Sequence, residues 1–316
     1  MRVLVTGGAG FIGANLCRHL ASTPGVDSVV ALDDLSTGFR SNLDGLDPTV
    51  VELIEGSFLD RDTLDRAAAD CGAIVHLGAR PSVPRSVADP IASHVANATG
   101  TIEVLEAARR ADGAHVIVAS SSSVYGSNPT IPKHEDLATR PRSPYAASKL
   151  AAEGYTLAYG ATYGLPTLAF RFFNVFGPLQ AAGHAYAAVV PAFVSAALGG
   201  EPLTVHGDGT QSRDFTFVDT VCAVLADAVA RQVTSEEPVN LAFGTRTTLL
   251  ELIGEIEALL GHGVERNHVE RRAGDVDHSQ AANDRLRALF PHVAPTALRD
   301  GLAATIDWFR TNPDQR

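Results

Sequence analysis

Met1 to Leu35 constrain the fold of this chain more than any other stretch. A short apolar run, Arg2-Val3-Leu4-Val5-Thr6, leads into Gly7-Gly8-Ala9-Gly10-Phe11-Ile12-Gly13. A helical pattern follows on Phe11, Ile12, Leu16 and Leu20. A second apolar run, Val29-Val30-Ala31-Leu32, then ends in Asp33-Asp34. The order is strand, tight turn, helix, strand, acid. Glycines in the turn let backbone approach a pyrophosphate, and the helix N-terminus offers unpaired N–H groups and partial positive charge. Asp33 ends the second strand about twenty residues past the glycines, where a carboxylate accepts both adenosine ribose hydroxyls. The glycines taken alone fit a turn that only reverses the chain; strand, helix and acid in succession favour dinucleotide binding. The spacing is G-x-x-G-x-x-G on Gly7, Gly10 and Gly13. Asp33 and Asp34 repel a 2′-phosphate and no Arg replaces them, so NAD is favoured over NADP.

The chain goes on alternating. Val50 to Ile54 reads as a third strand, Asp60 to Ala69 as a helix and Ala73 to Leu77 as a fourth strand ending in Gly78-Ala79. Ser57 and Phe58 either border the adenine or, with Asp60, open the helix. His76 reads as a packed strand residue. Ile91 to Arg110 is a long helix, Ala114 to Ala119 a fifth strand, and Tyr145 begins another helix after a Pro-rich loop. Thr167 to Phe172 is a sixth strand. Strands alternating with helices predict an α/β chain with one Rossmann-type, doubly wound parallel sheet. After about residue 175 the chain is cut into short pieces by Gly177-Pro178, Gly199-Gly200 and Gly207-Asp208-Gly209. Helical patterns recur at Val218 to Arg231, Thr248 to Leu260, Ala282 to Leu289 and Leu298 to Phe309. The expected division is 1–175 for the dinucleotide and 176–316 mainly for a smaller, mostly helical substrate cap, with some segments returning to the sheet.

Composition narrows the partners. A formal charge of −11 gives a field of the wrong sign for nucleic acid or an anionic membrane. No apolar run approaches bilayer length. The first strand begins at Arg2, which leaves no room for a secretory leader. Cys17, Cys71 and Cys222 lack metal spacing and fit a reduced, cytoplasmic setting, and no metal site is expected.

Tyr145 and Lys149 lie four apart, so they share a helix face. An ammonium beside the phenol, with a positively charged nicotinamide, lowers the Tyr pKa from about 10 toward the working range. Such a Tyr serves as general base and acid on a substrate hydroxyl. Y-x-x-x-K is a common chance pattern by itself; here it follows the dinucleotide motif and a Ser cluster at the end of the fifth strand.

With these residues the chain resembles the extended short-chain dehydrogenase/reductases, in the nucleotide-sugar epimerase/dehydratase branch. The resemblance covers nearly the whole chain. It rests on T-G-G-A-G-F-I-G at Thr6 to Gly13, D-D-L-S-T-G at Asp33 to Gly38, S-S-S-V-Y-G at Ser121 to Gly126 and S-P-Y-A-A-S-K at Ser143 to Lys149. R-F-F-N-V-F-G-P at Arg171 to Pro178, Q-S-R-D-F at Gln211 to Phe215 and R-R-A-G-D-V at Arg271 to Val276 extend it. The resemblance implies that Tyr145 is the base, that Lys149 holds the nicotinamide ribose and that Ser121, with Ser122 as its neighbour, bonds the sugar hydroxyl. It implies NAD contacts from Gly7, Gly10, Phe11, Ile12, Gly13, Asp33, Asp34, Ser36, Gly38, Ser57, Phe58, Leu77, Ala79 and Asn97. For a UDP-sugar it implies Ser82, Arg85, Phe173, Asn174, Val189, Thr204, His206 and Asp275, with Arg213 and Arg272 clamping the diphosphate, a task suited to guanidinium forks. Family members of this branch pair as homodimers through the helices here at Ile91 to Arg110 and Tyr145 to Tyr163.

The relatives of this branch that act as 4,6-dehydratases carry Asp-Glu directly after the catalytic Thr. Here those positions are Ser122 and Ser123, whose hydroxyls are poor acids and bases. The expected reaction is therefore 4-epimerisation by transient oxidation at sugar C4. Arg80-Pro81-Ser82-Val83-Pro84-Arg85-Ser86 resembles the corresponding loop of UDP-uronate and UDP-N-acetylhexosamine epimerases. Ser279 falls where many UDP-galactose epimerases carry an aromatic residue. Arg85 and the Ser cluster suit a C6 carboxylate, although Arg85 in isolation also fits a solvent-facing or helix-capping role. UDP-glucuronate to UDP-galacturonate is the expected conversion. UDP-glucose or UDP-N-acetylglucosamine epimerisation is the alternative, and a 4,6-dehydratase or net oxidoreductase is the alternative reaction. A non-catalytic dinucleotide sensor has no need of Tyr145, Lys149 and Ser121, and this chain keeps all three.

Overall fold

A computed structural model describes residues 1–182, 187–271 and 277–315. Arg272 and Asp275, both expected at the substrate, lie outside the described residues.

The alternating apolar runs form β1 (Arg2–Thr6), β2 (Ser28–Asp33), β3 (Val51–Glu55), β4 (Cys71–His76), β5 (His115–Ser121) and β6 (Thr167–Phe172). With Val239–Leu241 they make a seven-stranded sheet in the order Val239–Leu241, β6, β5, β4, β1, β2, β3. Every pairing in it is parallel. The order turns back on itself at β1, with β2 on one side and β4 on the other. The carboxyl ends of the strands open a crevice there. Val239–Leu241 is a return of the distal half of the chain to the sheet.

The helices are α1 (Phe11–Ala21), α2 (Arg61–Ala68), α3 (Val83–Ala88), α4 (Pro90–His94), α5 (Gly100–Arg110) and α6 (Pro144–Tyr163). One face of the sheet packs on α1 and the helix Val218–Arg231, through Leu16, Leu20, Val221 and Leu225. The other face packs on α2 and α5, through Leu64, Val104 and Leu105. Parallel strands buried on both faces read as unbroken apolar runs, which is why they are legible. A second core, built on Phe176, Phe193, Leu252, Ile256 and Phe309, gathers the helices of the distal half.

Two local features position the site. Asp60, Ser82, Asp89 and Ser143 each accept a backbone N–H in the first turn of the helix that follows. Such a cap contributes about 1 kcal/mol. Ser143 caps α6 and Pro144 opens it, which puts Tyr145 in its first turn, at the positive end of the helix dipole. The segment expected as one helix from Ile91 to Arg110 is interrupted at Val95–Thr99 by a wider turn closed five residues apart. Asn97 sits in that turn.

Candidate active site

At the dinucleotide end, glycine is required by contact. A Cβ on Gly13 would lie 2.0 Å from the Gly7 carbonyl oxygen, and one on Gly7, whose φ is +68°, would lie 2.9 Å from Gly78 N. Gly10 stands at the N-cap of α1 and offers no side-chain cap, so the first N–H groups of α1 are left to a ligand. Asp33 is buried; Oδ2 accepts from Ala9 N at 2.9 Å and Oδ1 from Leu35 N at 2.9 Å. Burial pushes its carboxyl up, and the backbone N–H groups of Leu35 and Ala9 pull it back. Each oxygen keeps a further acceptor position for a ribose hydroxyl. Asp34 and Ser36 are exposed beside it, joined by Ser36 N to Asp34 Oδ1. The glycine cradle, the open helix end and this acid fit a dinucleotide.

Around the cradle, Phe11 and Ile12 open α1, and Gly38 is pressed so close that a Cβ would lie 2.9 Å from Asp33 Oδ1. Leu77 and Ala79 follow β4. Asp60 is the cap of α2, whereas Ser57 Oγ accepts from Leu59 N. Phe58 wedges between Gly78 and Gly100 and meets His76 edge-on, 5.3 Å between centroids. Asn97 Oδ1 accepts from Arg80 N at 2.7 Å, and its Nδ2 donates to Ser148 Oγ at 2.9 Å and Arg80 O at 3.3 Å. Its amide thus ties the loop after β4 to α6.

At the expected catalytic residues, β5 runs on through Ser120 and Ser121, paired with Arg171 and Phe172 of β6. The Ser121 and Tyr145 side chains are hydrogen-bonded, and Ser121 Oγ also accepts from Ser123 N at 3.2 Å. Lys149 is buried and donates to Ala119 O at 2.8 Å. Here the structure departs from the expected electrostatics. Burial pushes the Tyr145 phenol above its usual range, and only the Ser121 hydrogen bond opposes this. Burial pulls Lys149 down to about 8. The serine, tyrosine and lysine are nonetheless together at one mouth of the crevice. Ser123 Oγ beside them is buried without a partner, and Ser122 is half-buried.

In the distal half, Asn174 Nδ2 donates to Asp214 O at 3.2 Å, and Phe173 packs on Tyr125. Val189 begins the helix Val189–Gly199, a helix the sequence pattern did not disclose because Pro191 reads as a breaker. It lies in the first turn, where its missing N–H costs nothing. Thr204 and His206 are on the strand Leu203–His206, with His206 Nδ1 3.0 Å from Glu270 O. Arg213 donates to Ser212 O at 2.9 Å. Nearby is a cavity of about 480 Å³ lined by Asp208, Thr210, Gln211, Arg271, Asp277 and His278. Ser212 Oγ, 2.9 Å from His278 Nδ1, links Arg213 to it, and Arg246 Nε donates to the same hydroxyl. Gln211, Arg246 and His278 were not expected from the sequence; only Gln211 stood within a recognised motif. Ser82 has φ +96°, a strained backbone for a residue with a side chain, and its hydroxyl caps α3 toward Arg85 N. Ser279 is buried, its N–H on Ser212 O at 3.0 Å.

The model of the NAD dependent epimerase/dehydratase family matches residues 3–242. The chain belongs to this family. It is 38% identical to a UDP-glucose 4-epimerase of Mycolicibacterium smegmatis over 98% of this chain and 99% of that one. Among solved structures, it superposes on the UDP-N-acetylglucosamine 4-epimerase of Methanobrevibacter ruminantium in complex with UDP-N-acetylmuramic acid, with a TM-score of 0.92 and 34% identity over 98% of both chains. It superposes on the UDP-glucuronic acid 4-epimerase of Bacillus cereus in complex with UDP-glucuronic acid and NAD, with a TM-score of 0.88 and 29% identity over 99% of this chain and 100% of that one. The Rossmann-type parallel sheet and the NAD dependence expected from the sequence are those of this family. Cys17, Cys71 and Cys222 are buried and free, and no helix among the described residues is long and apolar enough to cross a membrane.

Proposed function

We propose that the protein is a UDP-sugar 4-epimerase. The observation that carries this reading is the mouth of the crevice, where a hydrogen-bonded Ser121–Tyr145 pair and Lys149 stand beside Ser122 and Ser123 instead of carboxyls. The buried carboxylates nearest in the fold are engaged elsewhere. Glu153 is forked to Arg171, and Glu135 accepts from Asn240 N. Neither is available to expel a C6 hydroxyl, which argues for epimerisation over dehydration.

NAD, when bound, would supply reversible hydride transfer at sugar C4. Tyr145 takes the C4 hydroxyl proton and gives it back, and Ser121 hydrogen-bonds the same oxygen. Lys149 holds the nicotinamide ribose and adds positive charge beside the phenol. Asn174, Arg213 and Arg272 take the diphosphate, and Thr204 and His206 border the nucleoside. Residues 1–175 hold NAD and 176–316 mainly the sugar nucleotide. The working form is a homodimer in the cytoplasm; the homodimer is supported by Val83, Val87, Ile91, Val95 and Tyr155, exposed on α3, α4, the wide turn and α6.

The finer reading is UDP-glucuronate, with its C6 carboxylate met by Arg85 and the Ser121–Ser123 hydroxyls. One observation favours a neutral hexose, UDP-glucose or UDP-N-acetylglucosamine: Arg80, the second cation of that loop, is already paired with Asp89 at 3.0 Å. Proton NMR of the anomeric signal, with each UDP-sugar incubated separately and no reductant added, tests both. One sugar converting to its C4 epimer and stopping at equilibrium establishes the reaction and the sugar. Accumulation of a 4-keto product or of free NADH overturns the epimerase reading.

A further inference from the structure

Three consecutive residues at the end of β5 each bond a different residue on one face of α6. Ser121 meets Tyr145, Ala119 O accepts from Lys149 Nζ at 2.8 Å, and Ser120 Oγ donates to Glu153 Oε2 at 2.7 Å. Tyr145, Lys149 and Glu153 are spaced by four, so the three contacts are stacked one turn apart. Glu153 belongs to this ladder as fully as the other two, yet nothing in the reaction uses it.

Glu153 and Arg171 are both about 4% exposed at their side chains. Arg171 on β6 engages Glu153 with a two-pronged fork, Nε to Oε2 at 3.0 Å and Nη2 to Oε1 at 2.7 Å. Its third nitrogen donates to Glu135 O at 3.2 Å, and its plane lies 4.7 Å from the Tyr125 ring. Tyr125 OH donates to Asn240 Oδ1, and Asn240 Nδ2 donates to Lys133 O and Ala282 O. Every member is satisfied, so the network holds β5, β6, α6 and Val239–Leu241 in one arrangement.

The charges are arranged as tightly as the geometry. An ammonium one helical turn from a carboxylate is ordinarily held charged by it. Glu153 does not do this to Lys149, because Arg171 neutralises it and Ser120 occupies its remaining face. Burial is what moves Lys149. The other titratable or charged groups on elements packed against this face of α6 are His76 on β4, Tyr125, Lys133 and Glu135 after β5, and Arg171 on β6. Arg85 and His94 are on α3 and α4, and Glu106 of α5 meets α6 at Tyr159.

We propose that Glu153, locked by Arg171, is a positioning residue for the catalytic pair: it fixes α6 on the end of β5 and keeps a net charge away from Lys149. The proposal rests on the reading of Tyr145 and Lys149 as the catalytic pair, but its test needs no turnover. Lys133 and Lys149 are the only lysines in the sequence. Lysine labelled with 13C at Cε therefore gives two NMR signals in the holoenzyme, and the one displaced by Tyr145→Phe is Lys149. Glu153→Gln leaves a bare guanidinium and is expected to lower the Lys149 pKa; Arg171→Met leaves a bare carboxylate and is expected to raise it. At one helical turn and an effective dielectric near 20, each shift is about one to two pH units, roughly ten- to a hundredfold in ionisation constant. The double variant is expected to return to the parental value. A purely structural role does not produce opposite signs that cancel. Unchanged ionisation, or shifts of the same sign, in folded variants overturns the proposal. Each single variant has a fixed sign and is decisive if the other does not fold. If neither folds, a folded double variant with Lys149 at its parental value supports the proposal and a displaced Lys149 defeats it. If the double variant fails as well, Arg171→Lys is read: with the charge kept, a parental Lys149 supports the proposal and a shifted one overturns it. Loss of the Lys149 response overturns this inference alone; absence of epimerised sugar overturns the functional reading alone.

Discussion

Thr6 Oγ1 lies 2.7 Å from His76 Nδ1, in the heart of the crevice floor. The same hydroxyl accepts from Gly78 N at 3.1 Å. Burial, with Lys149 adding to it, pulls the imidazole down to about 3. A base whose folded pKa lies below its unfolded value contributes stability present above pH 6.5 and lost as pH falls toward 3. His76→Leu is therefore expected to remove about 3 kcal/mol of the stability lost between pH 6.5 and 4. Urea unfolding at pH 7 and pH 4 checks it; an unchanged pH slope would show that His76 is not held neutral.

Gly13 and Gly254 are both helical, and the same substitution is expected to act oppositely on them. A Cβ on Gly13 meets Gly7 O at 2.0 Å and Gly8 Cα at 2.9 Å, all backbone. Gly13→Ala must push α1 off the glycine turn at Gly7 and Gly8. A drop in melting temperature and a loss of NAD affinity of at least about tenfold, some 1.4 kcal/mol, are expected. Gly254, exposed in the helix Leu249–Leu260, has nothing within 4 Å, so Gly254→Ala is expected to stabilise by about 0.5–1 kcal/mol. Differential scanning calorimetry and NAD titration separate the two.

The same positions show why so much of the fold was legible. Val3 to Val5, Val29 to Leu32 and Ile74 to Val75 are buried on both sheet faces, so their apolar runs can hardly be anything but parallel strands. Gly13 was legible because its constraint is local, a few residues from Gly7. Glu153 and Arg171 were hidden because their meaning depends on a pairing across eighteen residues and two elements, and a Glu on a helix ordinarily reads as solvated. The break in the helix at Asn97 was hidden for another reason: a wide turn leaves no compositional mark. The cap was the least legible part. Its strands are two to four residues long, below the length at which alternation can be recognised.

Tyr145→Phe keeps the ring and removes the proposed proton carrier. Turnover is expected to fall by about 10²–10⁴-fold, the range of a lost general acid–base group, while NAD affinity stays within about twofold. Ser121→Ala is expected to lower turnover less, since it removes one of the contacts on the phenol and leaves the carrier itself. Single-turnover NMR beside NAD titration measures both; activity near the parental level in Tyr145→Phe would defeat the assignment of the base.

Ile91 is 76% exposed and Val87 66%, on neighbouring turns of α4 and α3. Two large aliphatic side chains left to water at that level lie next to α6, which also exposes Tyr155. If a second copy covers this face, Ile91→Asp places a charge in an apolar contact and is expected to convert the dimer to a monomer at micromolar concentration. Light scattering coupled to size exclusion reads the mass directly. A parental protein that is already monomeric would remove the homodimer from the proposed function.

Asp214 sits beside Arg213 and receives four hydrogen bonds: Gly244 N and Ala281 N on Oδ2, Thr245 N and Thr245 Oγ1 on Oδ1. Those bonds draw two separate segments, Gly244–Thr245 and the one at Ala281, to the residue next to Arg213. Burial still wins over them and raises the carboxyl to about 6. An acid whose folded pKa is raised contributes stability that is present below pH 4 and lost as pH rises through about 6. Asp214→Asn has no such slope, and its amide offers one acceptor where the carboxylate offers two. The stability difference between parent and variant is therefore expected to narrow from pH 4.5 to pH 7. Two of the four donors lose their acceptor, at about 1–3 kcal/mol each. On the proposed reading, in which Arg213 takes the diphosphate and not the reacting carbon, its displacement is expected to raise KM about tenfold with kcat within about twofold. A fall in kcat at unchanged KM would place Asp214 with the chemistry instead of with the diphosphate.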